Sequence, residues 1–433
     1  MENKIEHRKQ YLAILIPVLI VCFWPFPSKW IGYSAALYIS DAVLIGTLFL
    51  LAIKNKYKPE NNVVNKFLIA FIILNIIATI LAIFRTNFWG IRQFAEIIRM
   101  IEWFIMYHYL YQTLKEIETK NVEKILYKVI FIVMIGISVI STIELFDIPV
   151  LKDGILKNIY EMGKSGNIFQ FFNRISGTFK NPNMFGVFLS MISIILLISR
   201  MENKKKIPLI ILSVFFLYYT GSRTALIATV LVYIIIIITK LIAEKNKKLL
   251  KQQLIIIGII LLAVILVMLI NKDLLYSVRL GELFEDLATL NDRTLIWEKF
   301  STDISNHWFI GNGIIKNVQL IFDNVFVQYL YYYGIIGCIM LVTFFIYNLI
   351  KAFKSYLKNK EDIVLTFCIV IQLIIIISGI TIQIMDVTQL TFFYFLSIAY
   401  VDTRKYFQNK SIETGKKEEI EEAAVKTEKQ SNN

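Results

Sequence analysis

Along the chain, apolar runs of about twenty residues alternate with short hydrophilic gaps, and this repeat is the strongest signal in the sequence. A helix rises about 1.5 Å per residue, so about 20 apolar residues cross the roughly 30 Å hydrocarbon core of a bilayer. The pattern predicts spans near 11–27, 31–53, 64–84, 93–113, 124–144, 183–200, 207–220, 223–242, 253–270, 324–350, 363–380 and 384–401. The expected fold class is therefore all-α, a polytopic membrane protein of about 12 transmembrane helices. The pattern groups residues 1–402 into one membrane domain and leaves 403–433 as a charged tail.

Composition agrees: 57% of residues are hydrophobic and 18% charged, which excludes an ordinary soluble multidomain chain. A net charge of +13 would suit a nucleic-acid partner only if the cations shared one soluble face. They sit instead in the gaps between apolar runs, so no nucleic-acid partner is expected and the charge reports topology. Most lysines and arginines fall in the amino terminus, the even-numbered gaps and the carboxyl tail, which places both termini in the cytoplasm. The long loops 145–182 and 271–323 then face outward. The first run begins with Lys4, Arg8 and Lys9 like a signal peptide, but Trp24, Pro25, Phe26 and Pro27 stand where a cleavage site would need small residues. Cys22, Cys338 and Cys368 lie apart within apolar runs and suggest packing, not disulfides or metal.

Chemistry belongs in the two long loops, since connections of that length are usually functional or separately folded. The short connection between the last two spans is expected to contribute no pocket. Within 271–323, LGELFEDLATL and RTLIWEKFSTDI have helical spacing. Four arginines lie at outward positions: Arg174 in RISGTFKNPNMFGVFL, Arg223 in TGSRTALIA, and Arg279 and Arg293 in the second loop. Each alone reads equally as an interfacial residue snorkelling to headgroups. Together they suit a phosphorylated lipid, because guanidinium forks onto paired oxygens and stays charged.

Other polar positions keep two readings. Asn181, Pro182 and Asn183 form a turn whose amides either cap the next helix or bind sugar hydroxyls. Asp323 and Asn324 precede a span, where a carboxylate caps a helix or acts as a base. Gly334 and Gly337 suggest close helix packing. Tyr329, Tyr331, Tyr332 and Tyr333 suggest an interfacial belt more than a sugar platform. His307, in SNHWFIGNG, is a lone outward histidine. No metal motif, phosphate loop or nucleophile elbow occurs, so neither metal nor cofactor is expected.

Taken in order, RISGTFKNPNMFG, TGSRTALIA, the pair DRTLIWEKF and NHWFIGNG, and DN followed by nine residues and GIIG resemble the O-antigen polymerase and ligase superfamily over about residues 174–337. These are integral membrane enzymes acting on undecaprenyl-pyrophosphate-linked saccharides. The resemblance implies metal-independent, inverting glycosyl transfer at the outer leaflet of the bacterial cell membrane, with membrane lipids, a flippase and a chain-length regulator as further partners. It makes Arg223 and Arg293 the pyrophosphate-binding arginines. It places Asp323 where ligases carry histidine, as polymerases often do. Arg223, Arg293 and Asp323 are thus the expected catalytic set, with Arg174, Lys180, Asn181, Asn183, Arg279 and Asn324 binding substrate.

The favoured expectation is a repeat-unit polymerase for a surface polysaccharide such as a capsule or exopolysaccharide. An O-antigen-ligase-type transfer of finished glycan is the sibling reading. A lipid-linked saccharide flippase is the non-enzyme alternative, although such transporters place ionisable groups at midplane in repeated halves. No internal repeat is visible here.

Overall fold

A computed structural model of the chain describes residues 2–23, 46, 48–50, 62–86, 91–146, 148–151, 156–160, 174–179, 181–244, 298, 300–315 and 322–404. The described residues are helical with no strand. The long helices are α1 (Glu2–Phe23), α2 (Val63–Thr86), α3 (Ile91–Lys115), α4 (Thr119–Leu145), α5 (Pro182–Ile198), α6 (Asn203–Tyr219), α7 (Arg223–Glu244), α8 (Val325–Lys358), α9 (Ile363–Gly379) and α10 (388–404). They coincide with each expected span that the described residues cover. The expected span 253–270 and nearly all of 31–53 lie outside the described residues.

By length and composition four described helices can cross a membrane: α2, α4, residues 223–243 of α7, and α8. The apolar helices α5 and α9 have 17 residues each and are shorter than these four. Helix α3 interrupts its apolar run with Glu96, Arg99 and Glu102, and α6 opens on three lysines.

Helices α5 and α9 are buried on nearly every face and pack against each other, with α7 against both, α6 against α5 and α8 against α9. A helix apolar all round belongs in such a centre. Outer helices point large aliphatic residues away from the protein: Ile69, Ile73, Ile76, Ile77 and Ile80 on α2, and Ile227, Val230, Leu231, Ile234 and Ile238 on α7. So broad an apolar exterior suits lipid, not water.

Local sequence sets the helix starts. Asn181 caps α5 by accepting from the Asn183 amide at 2.8 Å, and Pro182 takes the first turn, where its missing N–H matters least. Asp362 caps α9 through the Val364 amide, and the Tyr400 hydroxyl on α10 donates to both its oxygens at 2.9 and 2.8 Å. From α2 onward successive helices run antiparallel except α7 and α8, which run parallel, so the starts of α3, α5, α7, α8 and α10 share one end of the bundle with the finishes of α2, α4, α6 and α9. Thr403 and Arg404, expected at the head of the tail, are still helical and buried at the opposite end.

Candidate functional site

The polar stretch from Arg174 lies across the turn between α6 and α7. Arg174 Nε donates to the Thr220 carbonyl at 2.6 Å, its Nη2 donates to Asn183 Oδ1 at 2.7 Å, and the Ile175 amide donates to the Tyr219 carbonyl at 3.1 Å. The turn itself needs Gly221, whose φ is +58° and where an added Cβ would lie 3.2 Å from Arg174 Nε. Beneath it, the buried Glu144 carboxylate at the end of α4 accepts from the Ser176 amide, the Ser176 hydroxyl and the Gly177 amide at 2.8–3.1 Å. A carboxylate burying its charge against several donors is well compensated. Asn181 therefore acts as a cap, while Arg174 and Asn183 hold one another in the wall.

Immediately after this turn, Arg223 is the first residue of α7, where orphan amides and the helix dipole already favour an anion. Ser222 Oγ accepts from the Ala225 amide at 3.4 Å. Thr224 Oγ1 lies 2.8 Å from Thr381 Oγ1 in the 380–387 loop joining α9 to α10. That loop also meets the first turn of α8, where Gln328 Nε2 donates to Asp386 Oδ2 at 3.0 Å. The short loop, expected to contribute no pocket, thus links the Arg223 turn to the first turn of α8, just after Asp323 and Asn324.

Capping of α8 falls to Asn324, whose Oδ1 accepts from the Phe326 and Val327 amides at 2.8 and 3.1 Å. Asp323 is not the cap. It takes φ +47°, and among the described residues no other non-glycine residue has a positive φ. Aspartate tolerates this left-handed region better than most residues, and such strain tends to collect at functional positions.

One group of residues was not anticipated. Arg99, two turns into α3, bonds both Glu96 oxygens at 2.9 and 3.0 Å and reaches Asp386 Oδ1 at 3.1 Å. Gln328 Nε2, one turn into α8, donates to Asp386 Oδ2 at 3.0 Å. The sequence signal was an ionisable pair three apart inside an apolar helix, EIIRMIEW, which commonly marks function. Its partner Asp386 lies 287 residues away, in the loop that length had discounted.

Helix α8 breaks at Gly334, with φ +65° and ψ −163°. The break opens the carbonyls of Tyr331 and Tyr332, and the amides of Asn312 and Gly313 fill them at 2.8 and 3.0 Å. The Ile335 amide in turn donates to the Trp308 carbonyl at 2.7 Å, and Arg85 Nη1 at the end of α2 donates to the Gly311 carbonyl at 2.6 Å. Gly334 is therefore a kink held by the GNG segment, a correction to the helix-packing reading. The tyrosines also differ from the belt expectation. Tyr329, Tyr331, Tyr332 and Tyr333 are all buried: Tyr333 donates to Asn75 Oδ1 on α2 at 2.8 Å, Tyr329 meets Phe71 edge-on, and Tyr331 and Tyr332 pack on Phe322. His307 is half-buried beside the kink and apart from this network.

Arg174, Asn183, Arg223, Asp323 and Asn324 thus gather at one end of the bundle. Lys180, Arg279 and Arg293 lie outside the described residues. Among the described residues there is no cluster of three His, Cys, Asp or Glu able to hold a metal. What the arrangement offers is an anion-binding helix start beside a carboxylate, with a polar rim that can hydrogen-bond hydroxyls.

Residues 208–342 match the family model described as O-antigen ligase. The match spans α6, α7 and the first half of α8, and so includes Arg223, Asp323, Asn324, Gln328 and the Gly334 kink. The chain carries that family's domain, consistent with the O-antigen polymerase and ligase superfamily. Members of the family are glycan-transferring enzymes acting on lipid-linked saccharides in membranes. No curated protein matches the chain.

Proposed function

We propose that the chain is a polysaccharide repeat-unit polymerase, moving a growing glycan from undecaprenyl pyrophosphate onto a lipid-linked repeat unit. The observation that carries this reading is the convergence of the Arg223 turn and the helix start that follows the Asp323–Asn324 pair on one loop, through Thr224–Thr381 and Gln328–Asp386. It rests on a twelve-span topology with both termini cytoplasmic and the site facing outward in the bacterial cell membrane.

An acceptor hydroxyl attacks the anomeric carbon while its bond to the pyrophosphate oxygen breaks. The leaving pyrophosphate gathers negative charge, which Arg223, the start of α7 and Arg293 stabilise as it forms. Asp323 takes the hydroxyl proton or orients that hydroxyl. No metal is needed, since the charge is met by guanidinium groups. Flippase and chain-length regulator proteins are the expected partners, and a capsule or exopolysaccharide the expected product.

Ligase-type transfer of finished glycan is the second reading, favoured by the description of the matching family model. Aspartate at 323 favours the polymerase. The deciding experiment is the glycan profile of a deletion strain complemented with wild type, Arg223→Ala or Asp323→Ala. A polymerase deletion leaves single repeat units on the final acceptor, restored to long chains by wild type alone. Long chains stranded on the carrier lipid would establish the ligase instead. Carrier-linked units trapped in the inner leaflet would establish a flippase.

A further inference from the structure

Asp386 is held as a ligand is held. Arg99 fixes one of its carboxylate oxygens and Gln328 Nε2 fixes the other, so its orientation is set from α3 and α8 together. Yet its side chain keeps 29% of its surface exposed, against 11% for Arg99 and 3% for Glu96. Beneath it lie two buried polar atoms with no hydrogen-bond partner among the described residues, Gln328 Oε1 and the Tyr329 hydroxyl. Both side chains are about 3% exposed, and Tyr329 stands within electrostatic range of Glu96, Arg99 and Asp386. Buried polar atoms left unsatisfied are uncommon and call for an explanation.

The donor set selects the ligand. A metal ion is disfavoured because the Arg99 guanidinium already binds both carboxylates. A phosphate would meet Asp386 and Glu96, two anions against one cation. Neutral hydroxyls fit: each can donate to Asp386 or Gln328 Oε1 and bond the Tyr329 hydroxyl, and several such groups together recognise a sugar ring. The place agrees, because Thr381 links the same loop to Thr224, next to Arg223.

We infer that Asp386, with Gln328 and Tyr329, forms a saccharide subsite that binds hydroxyls of the lipid-linked sugar beside the pyrophosphate site, with Arg99 as its positioning residue. This rests on the glycan-transfer reading above and adds the residues that grip the sugar.

The test uses the purified full chain in lipid nanodiscs with two probes: undecaprenyl pyrophosphate without sugar, and the undecaprenyl-pyrophosphate-linked repeat unit extracted from the host. For Asp386→Asn the expected result is a roughly 10–100-fold weaker affinity for the sugar-bearing probe, the range for a lost charge-assisted hydrogen bond, with the sugar-free probe unchanged. Tyr329→Phe removes only a hydroxyl that bonds nothing in the described structure. It should fold normally and weaken the sugar-bearing probe several-fold. Equal affinities for both probes in both variants, or equal losses for both probes, would overturn the subsite. Arg223→Ala separates this from the parent reading. If it leaves the sugar-free probe bound as in wild type, the pyrophosphate assignment fails. If it loses that probe while Asp386→Asn and Tyr329→Phe match wild type on the other, the sugar subsite alone fails.

Discussion

Gly311 and Gly334 meet backbone to backbone. A Cβ on Gly334 would lie 2.6 Å from the Gly311 nitrogen and 2.4 Å from the Phe309 oxygen, and one on Gly311 would lie 2.4 Å from the Gly334 nitrogen. The contact pins the break in α8, ten residues after Asn324, to the 307–313 segment, which Arg85 on α2 also holds.

Gly334→Ala is expected to destabilise the protein by at least about 1–3 kcal/mol from its left-handed backbone alone, with the overlap adding to that. Gly46→Ala is the control, because a Cβ there meets nothing within 4 Å among the described residues. The measurement is thermal unfolding in detergent. Equal midpoints for the two variants would show that the kink is not constrained as described.

Glu144→Gln keeps the shape of the side chain but replaces one acceptor oxygen with an NH2 facing the Ser176 and Gly177 donors. The loss should be about 2–4 kcal/mol, as for a buried charge-assisted network with one donor left unpaired. Hydrogen exchange would locate the effect, with the Ser176 and Gly177 amides exchanging faster while those of α9 keep their protection. Unchanged exchange at both amides would contradict the anchoring role.

Arg174→Lys separates a structural arginine from a catalytic one. Lysine cannot reach Thr220 O and Asn183 Oδ1 as a fork, so a lower unfolding midpoint is expected, with turnover reduced only modestly. Arg223→Lys should do the reverse, cutting glycan transfer about 100-fold or more with little change in midpoint. Identical behaviour of the two variants would erase the distinction drawn between wall and site.

At the start of α8 two adjacent residues divide two roles. Asn324→Ala removes the cap and should cost about 1 kcal/mol. Asp323→Asn keeps a residue that tolerates the positive φ and should change stability little while abolishing transfer. An Asp323→Asn variant that still transfers glycan at the wild-type rate would remove the carboxylate from the chemistry.

Several of these residues were legible in advance. TGSRTALIA and the DN before a span each mark a helix start by local chemistry alone, and the structure keeps both there. The tyrosines were misread because belt and buried positions share one amphipathic composition, and only packing against Phe71, Asn75 and Phe322 decides which they are. Arg99 was visible as a charge inside an apolar helix, but a lone charge does not announce its partner. The importance of Asp386 was hidden by the shortness of its loop, a feature that bears on how much a loop encloses and not on what it touches.

What the sequence determined by itself is what depends on neighbours within a turn or two: helical runs from apolar periodicity, helix starts at Asn181 and at the Asp323–Asn324 pair, and the ordered motifs that carry the family resemblance. Only the tertiary structure decided which helix starts share an end, that Glu144 holds the Ser176 segment, and that Arg99, Gln328 and Asp386 meet. Those outcomes rest on contacts between residues tens to hundreds of positions apart. Hydropathy encodes that such residues are buried or charged, but not which of the many compatible partners the packing of α3, α8, α9 and α10 brings within hydrogen-bond reach.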